Sequence, residues 1–416
     1  MALRLRGNGP INLHFLDVTR VAGETMTGHV DLNVAQAQND NVERLSIKFK
    51  GIVRCRISTS TGAGGVTHHS DTIILCDEQI SLWDRGSAFP PPGSHILSCP
   101  FQFTIPETAP PSFHCEGYYR KATISYALEV VGQRPGRFKE NRNVRQPITV
   151  LAAASQAQLL LTQSLRQGWS GAYKTWTTDG KLKEGLWGKH SHVRVMLDIP
   201  DLTSYPNATA IPFRLHVETD TKPLPMSDAP VDKHGNPFFP APPASSSHVR
   251  LRLHRTVDIR VRPIHSGHVD DDFLLKGSLG DSVRLAAVSQ VTDEPEWIPS
   301  TGPKDKKGLG IWRRAVHFST TVTIPYTPTV QTDILNWRYF LRFTIPFPML
   351  GDDIRLDVPL QLHSSLACPP PSIGVAGSSD MAYADVIPAG PPPPPIDLPP
   401  SYSTGEHHVW DGDEKN

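Results

Sequence analysis

In Leu45-Ser-Ile-Lys-Phe-Lys-Gly-Ile-Val-Arg-Cys-Arg-Ile57 the positions Leu45, Ile47, Phe49, Val53, Cys55 and Ile57 are apolar, while Ser46, Lys48, Lys50, Arg54 and Arg56 are polar or basic. A period of two residues puts each set on its own face of an extended strand, so the stretch reads as a β-strand with one buried and one wet face. Gly51 interrupts it where a bulge is expected. The same alternation returns at Ala122, Ile124, Tyr126, Leu128 and Val130, and again at Val249, Leu251, Leu253, Val257, Ile259 and Val261. Late in the chain it runs through Trp337, Tyr339, Leu341, Phe343 and Ile345, then Ile354, Leu356, Val358, Leu360 and Leu362. Gly, Pro and Asp clusters bound these strands and no β-α-β rhythm separates them. The expected fold is all-β: two tandem antiparallel β-sandwiches of immunoglobulin-like kind.

The 40 prolines and 31 glycines among 416 residues argue against a helical bundle. Lys plus Arg equals Asp plus Glu at 41 each, which removes any general attraction to nucleic acid. Five scattered cysteines without a C-x-x-C pair suit unpaired thiols in a reducing compartment. Neither an apolar leader nor a stretch of about 18 apolar residues is present, so the expectation is a cytoplasmic chain that does not span a membrane. The expected domains are 1–153, a linker at 154–169 with at most a short helix in Ala152–Gln167, and a second sandwich at 170–363. Thr221–Ser247 and Pro295–Gly310, rich in Pro, Ser, Gly or charge, are expected to be long loops on that second sandwich. From 364 to 416 the composition changes: eleven prolines, little apolar pattern, and seven acids against Lys415 alone. This segment is expected to be a disordered tail of polyproline II character. Its net charge of −6 leaves +6 on residues 1–363, so the neutral total conceals a basic body.

Leu398-Pro-Pro-Ser-Tyr402 in that tail is a PPxY sequence. Two adjacent prolines form a preformed ridge that fits the aromatic groove of a WW domain, and Tyr402 fills a second pocket. Segments of the body add a resemblance. Ile11–Val18, then Gly23-x(4)-Gly28-x-Val30, then Val42–Gly51, followed by Phe101-Gln-Phe-Thr-Ile-Pro106 and Gly117–Val130, stand in the order of arrestin-fold strands. Val193–Pro200, Ile211–Val217 and Phe343–Pro346 repeat the theme in the second half. With a PPxY tail behind two sandwiches, the chain resembles the α-arrestins. The resemblance implies two arrestin domains and a non-catalytic adaptor that links membrane transporters or receptors to a HECT-type ubiquitin ligase with WW domains. It further implies a part in cargo ubiquitination, endocytosis and protein transport, with peripheral recruitment to the plasma membrane and endosomes. The one full PPxY departs from the two or more PxY motifs usual in such proteins.

Two basic sets are candidates for acidic cargo tails or anionic lipids: Lys48, Lys50, Arg54 and Arg56 on one strand, and Arg134, Arg137, Lys139, Arg142 and Arg145 around a turn. Lys304, Lys306 and Lys307 are candidate ubiquitin acceptors within reach of a ligase docked at Pro399, Pro400 and Tyr402. Arg255 falls on the apolar parity of its strand; the resemblance offers a buried, paired charge that clamps domain orientation, but a bulge that turns it outward is the expectation. His68-His69, His190-x-His192 and His407-His408 lack the companions of a metal site and are read as surface histidines; no metal or cofactor is expected. No G-x-S-x-G, G-x(4)-G-K-[ST] or H-E-x-x-H stands in the chain, so no enzyme is expected. The competing readings are a retromer-like coat subunit or a signalling or pH-response scaffold, neither of which requires a ligase.

Overall fold

The computed structural model describes residues 3–61, 65–136, 139–183, 190–228, 231, 240–262, 265–281, 286–300, 308–347 and 353–368. The first half comprises β1 (Leu3–Asn8), β2 (Ile11–Leu16), β3 (Arg20–Val21), β4 (Thr25–Asn33), α1 (Val34–Asn39), β5 (Arg44–Thr61), β6 (Gly65–Asp84), β7 (Ile96–Thr104), β8 (Phe113–Gly117), β9 (Arg120–Gln133), β10 (Arg142–Ile148) and β11 (Val150–Leu151). After α2 (Gln156–Arg166) come β12 (Tyr173–Lys183), β13 (His190–Pro200), β14 (Tyr205–Pro206), β15 (Ala210–Asp220), β16 (Leu224–Pro225), β17 (Arg250–Val261), β18 (His265–Ser278), β19 (Ser289–Thr292), β20 (Glu296–Pro299), β21 (Leu309–Thr323), β22 (Leu335–Ile345), β23 (Ile354–Leu360) and β24 (Leu362–His363).

In the first sandwich, β1-β2-β4-β7 faces β10-β9-β5-β6, with β8 beside β9. The apolar parity of β5 points inward: Leu45, Ile47, Phe49, Val53 and Cys55 are fully buried. Phe49 bridges the layers, its ring centroid 5.9 Å from Phe103 on β7 and 6.3 Å from Tyr126 on β9. Tyr126 is equally buried and donates its O–H to the Pro110 carbonyl at 2.7 Å, so its polar end is satisfied inside the core. The β5/β6 register shifts at Gly51/Ile52, the bulge expected at that glycine. Gly51 is needed for space: a Cβ there would lie 2.6 Å from the Tyr126 ring and 2.9 Å from Cys76 Sγ. Gly51→Ala is therefore expected to destabilise the protein by about 1–3 kcal/mol through overpacking, read from the urea midpoint.

The second sandwich packs β12-β13-β15-β21-β16 on β18-β17-β22-β23. Phe213 meets Phe343 edge-on at 5.4 Å between the layers. Two expectations change here. The segment from Pro295 is not all loop: Glu296–Pro299 pairs with β21, and Leu224–Pro225 within the Thr221 segment pairs with the same strand. The backbone groups of β21 recruit both short strands despite their proline content, since edge pairing satisfies donors that a loop would leave to water. The first residues of the 364–416 segment are also tied to the body. Ser364 is buried, Ser365 N–H donates to Asn207 Oδ1 at 3.0 Å, and Ala154 N–H donates to the Leu366 carbonyl at 2.7 Å. These partners lie on the linker and second sandwich, far away in sequence, and composition alone does not reveal them.

The linker helix α2 runs three turns and opens on a capping box, with Ser155 Oγ accepting from Gln158 N–H and Gln158 Oε1 accepting from Ser155 N–H. Among the described residues no helix is long and apolar enough to cross a membrane.

Candidate functional site

The register decides which basic residues meet. Lys48, Lys50, Arg54 and Arg56 leave β5 on its wet side, opposite Glu129, Ala127, Thr123 and Lys121 of β9. Arg145 on β10 stands opposite Glu129, which places it across one strand from Lys48. Burial lowers the Arg145 guanidinium's pKa, Glu129 opposes the shift, and neighbouring Arg54 adds to it. Six cations, Lys48, Lys50, Arg54, Arg56, Lys121 and Arg145, thus share one sheet face. Carboxylates beside them include Glu129, Asp77 at 3.8 Å from Lys48 and Glu116 at 3.4 Å from Lys121. Basic side chains clustered on a partly exposed sheet face are suited to a polyanionic surface or an acidic chain.

The second basic set divides. Arg134 Nε donates to the Asp40 carbonyl at 2.7 Å, and Arg142 Nε donates to Asp40 Oδ2 at 3.0 Å. Both arginines brace the β9–β10 turn against the end of α1 and leave the basic face to Arg145. Lys139 is exposed on that turn. Arg137 lies outside the described residues, as do Lys304, Lys306, Lys307 and the stretch Leu398, Pro399, Pro400, Ser401 and Tyr402.

A second basic feature escaped the sequence reading. Arg250 and Arg252 on β17, Arg342 and Thr344 on β22, and Asp353 and Arg355 at β23 line a shallow depression of about 140 Å³. Arg342 grips Asp357 through two hydrogen bonds of 2.7 and 2.9 Å, and Arg250 lies 3.7 Å from Asp353. Only Arg250 and Arg252 were visible as a polar parity; β22 and β23 supply the remainder through strand pairing.

The sandwiches meet along a mixed seam. Phe113 of β8 stacks on Trp337 of β22 with centroids 4.1 Å apart, and the Arg255 guanidinium lies 5.1 Å from the Phe113 ring centroid. The register does shift between Leu253 and Arg255, but the half-buried side chain turns toward the seam instead of outward. Cation–π attraction to Phe113 and proximity to the buried Tyr339 give the charge a favourable place there. Arg120 Nη1 donates to the His268 carbonyl at 2.9 Å, and Arg262 lies 3.9 Å from Asp71. The Cys55 thiol, pushed up to about 12 chiefly by burial and further by Cys115 and Asp71, stays protonated and donates to the Ile334 carbonyl at 3.3 Å.

No curated protein matches this chain. Residues 14–156 match the family model described as arrestin (or S-antigen), N-terminal domain, a segment running from β2 to the first residue of α2. The first sandwich, whose β10-β9-β5-β6 sheet carries the six-cation face, is thus the part of the chain that is similar to an arrestin N-terminal domain.

Proposed function

We propose that this chain is a non-catalytic adaptor whose arrestin-type body holds acidic cargo or anionic membrane and whose tail recruits a ubiquitin ligase. The observation that carries the first half is the gathering of Lys48, Lys50, Arg54, Arg56, Lys121 and Arg145 on one face of an arrestin N-terminal domain. Proteins of that family are generally adaptors. The cargo would be the cytoplasmic tail of a membrane transporter or receptor, met at the plasma membrane or on endosomes. The second half rests on sequence: Leu398, Pro399, Pro400, Ser401 and Tyr402 have the spacing that a WW groove reads. One short motif binds weakly, so cargo and ligase contacts would reinforce each other by raising effective concentration. Lys304, Lys306 and Lys307 would then be acceptors within the ligase's reach.

The ligase arm is tested with a peptide spanning residues 391–406 against isolated WW domains of a HECT ligase. Tyr402→Ala is expected to weaken binding by about 1–2 kcal/mol, because the tyrosine pocket is left empty. Binding indifferent to Tyr402, or none, would remove the ligase and turn the reading toward a coat subunit or scaffold.

A further inference from the structure

His14 and His29 face each other directly across the antiparallel pair β2–β4, with ring centroids 4.5 Å apart and planes within 10°. Asp31 lies two residues beyond His29 on the same strand face, and its carboxylate reaches both rings: 3.0 Å to His14 Nε2 and 3.9 Å to His29 Nε2. Each residue offers one ligand atom and all three atoms lie within 4.8 Å of one another, the sole such trio among the described residues. From these observations we infer that His14, His29 and Asp31 form a binding site for a borderline divalent transition cation, with zinc the best fit.

The donor set carries the choice of ion. Two imidazole nitrogens and one carboxylate oxygen suit zinc, nickel or copper, whereas calcium and magnesium favour oxygen alone. A tetrahedral zinc with bonds near 2.0–2.1 Å needs its ligand atoms about 3.3 Å apart. The His14–Asp31 separation of 3.0 Å is already shorter than that, and with all ligand atoms within 4.8 Å of one another the others need to close by at most about 1.5 Å. Part of each ligand remains exposed, 20% of the His14 side chain, 22% of Asp31 and 44% of His29, leaving the fourth position to water. This is an open site rather than a sealed one.

The fold holds the trio in register. On the opposite parity of the same strands Ile11, Leu13, Phe15, Val30 and Leu32 are buried in the first sandwich. A slip of one residue would drive both histidines into that core and expose the apolar set, so the core fixes the facing of His14 and His29. The flanking register positions, Leu5 and Gly7 on β1 and Ser98 and Pro100 on β7, hold no basic residue. A bound ion would tie β2 to β4 on the sheet away from the basic face. The site is therefore independent of the adaptor reading.

The test titrates Zn²⁺ and then Co²⁺ into the full chain after stripping with a chelator at neutral pH, alongside His29→Ala and Asp31→Asn. Both substitutions change outward-facing side chains, and circular dichroism checks that each variant is folded. The expected result is one equivalent of ion that weakens at least tenfold in each variant. The Co²⁺ spectrum should show ligand-field bands of nitrogen and oxygen donors that disappear with the substitutions. Equal affinity in wild type and both variants would overturn the assignment. So would sulfur-to-cobalt charge-transfer bands at the first equivalent, since the ion would then sit on cysteine.

Discussion

Trp337→Ala should lower stability by about 3–5 kcal/mol, the range for truncating a large buried aromatic side chain. Trp337 is fully buried, donates its indole N–H to the Pro328 carbonyl at 3.0 Å, and stacks on Phe113 across the seam. Its removal opens a cavity, orphans a carbonyl and takes away the Phe113–Trp337 stack between the sandwiches. Because whole domains are stable by only about 5–15 kcal/mol, the second sandwich is expected to melt first in calorimetry, ahead of the N-terminal one. Trp337→Phe separates the contributions. It keeps the stacking partner but leaves Pro328 without its donor, a cost of about 1–3 kcal/mol. A double-mutant cycle with Phe113→Ala should return a coupling of about 0.5–1.5 kcal/mol, the usual value for an aromatic pair beyond its buried area. Additive losses would mean that the ring contact does not couple the two sandwiches.

Reversing charge at Lys50, Arg54 and Arg56 together should weaken binding to anionic vesicles by more than a hundredfold at low salt. Each basic residue near such a surface contributes about 1 kcal/mol, and reversal replaces that attraction with repulsion. Added salt should erode wild-type binding, because these partly exposed charges are screened over about 10 Å at 0.1 M. Arg134→Ala provides the contrast: its guanidinium is engaged with the Asp40 carbonyl, so it should alter the β9–β10 turn with little effect on vesicle binding. If the triple reversal binds as wild type does, the face plays no part in membrane attachment and the cargo arm of the proposal must move to the arginine depression on β17, β22 and β23.

The alternation in Leu45–Ile57 was sufficient for the class of fold, since a two-residue period with one apolar parity is compatible with a half-buried strand and with little else. It also told which side of β5 is wet, and so named Lys48, Lys50, Arg54 and Arg56 correctly as outward. Period reports a face but never a neighbour. That Lys121 and Arg145 join the face while Arg134 and Arg142 leave it for Asp40 follows from the pairing of β9 and β10, which no local pattern encodes. Arg255 shows the same limit from the other side: its off-parity position signalled a bulge, yet the direction of the side chain depended on Phe113, 142 positions away in the chain.

By itself, then, the sequence determined the strands, their wet and dry faces, the bulge glycine, the compositional break near the C-terminus and the PPxY spacing, because these rest on chemistry local to a few residues. Only the tertiary structure decided which strands lie side by side. That choice fixed the six-cation face, the arginine depression, the aromatic seam and the meeting of His14, His29 and Asp31. Strand order comes from burying two apolar faces against each other, a property of the whole chain in which residues far apart become partners.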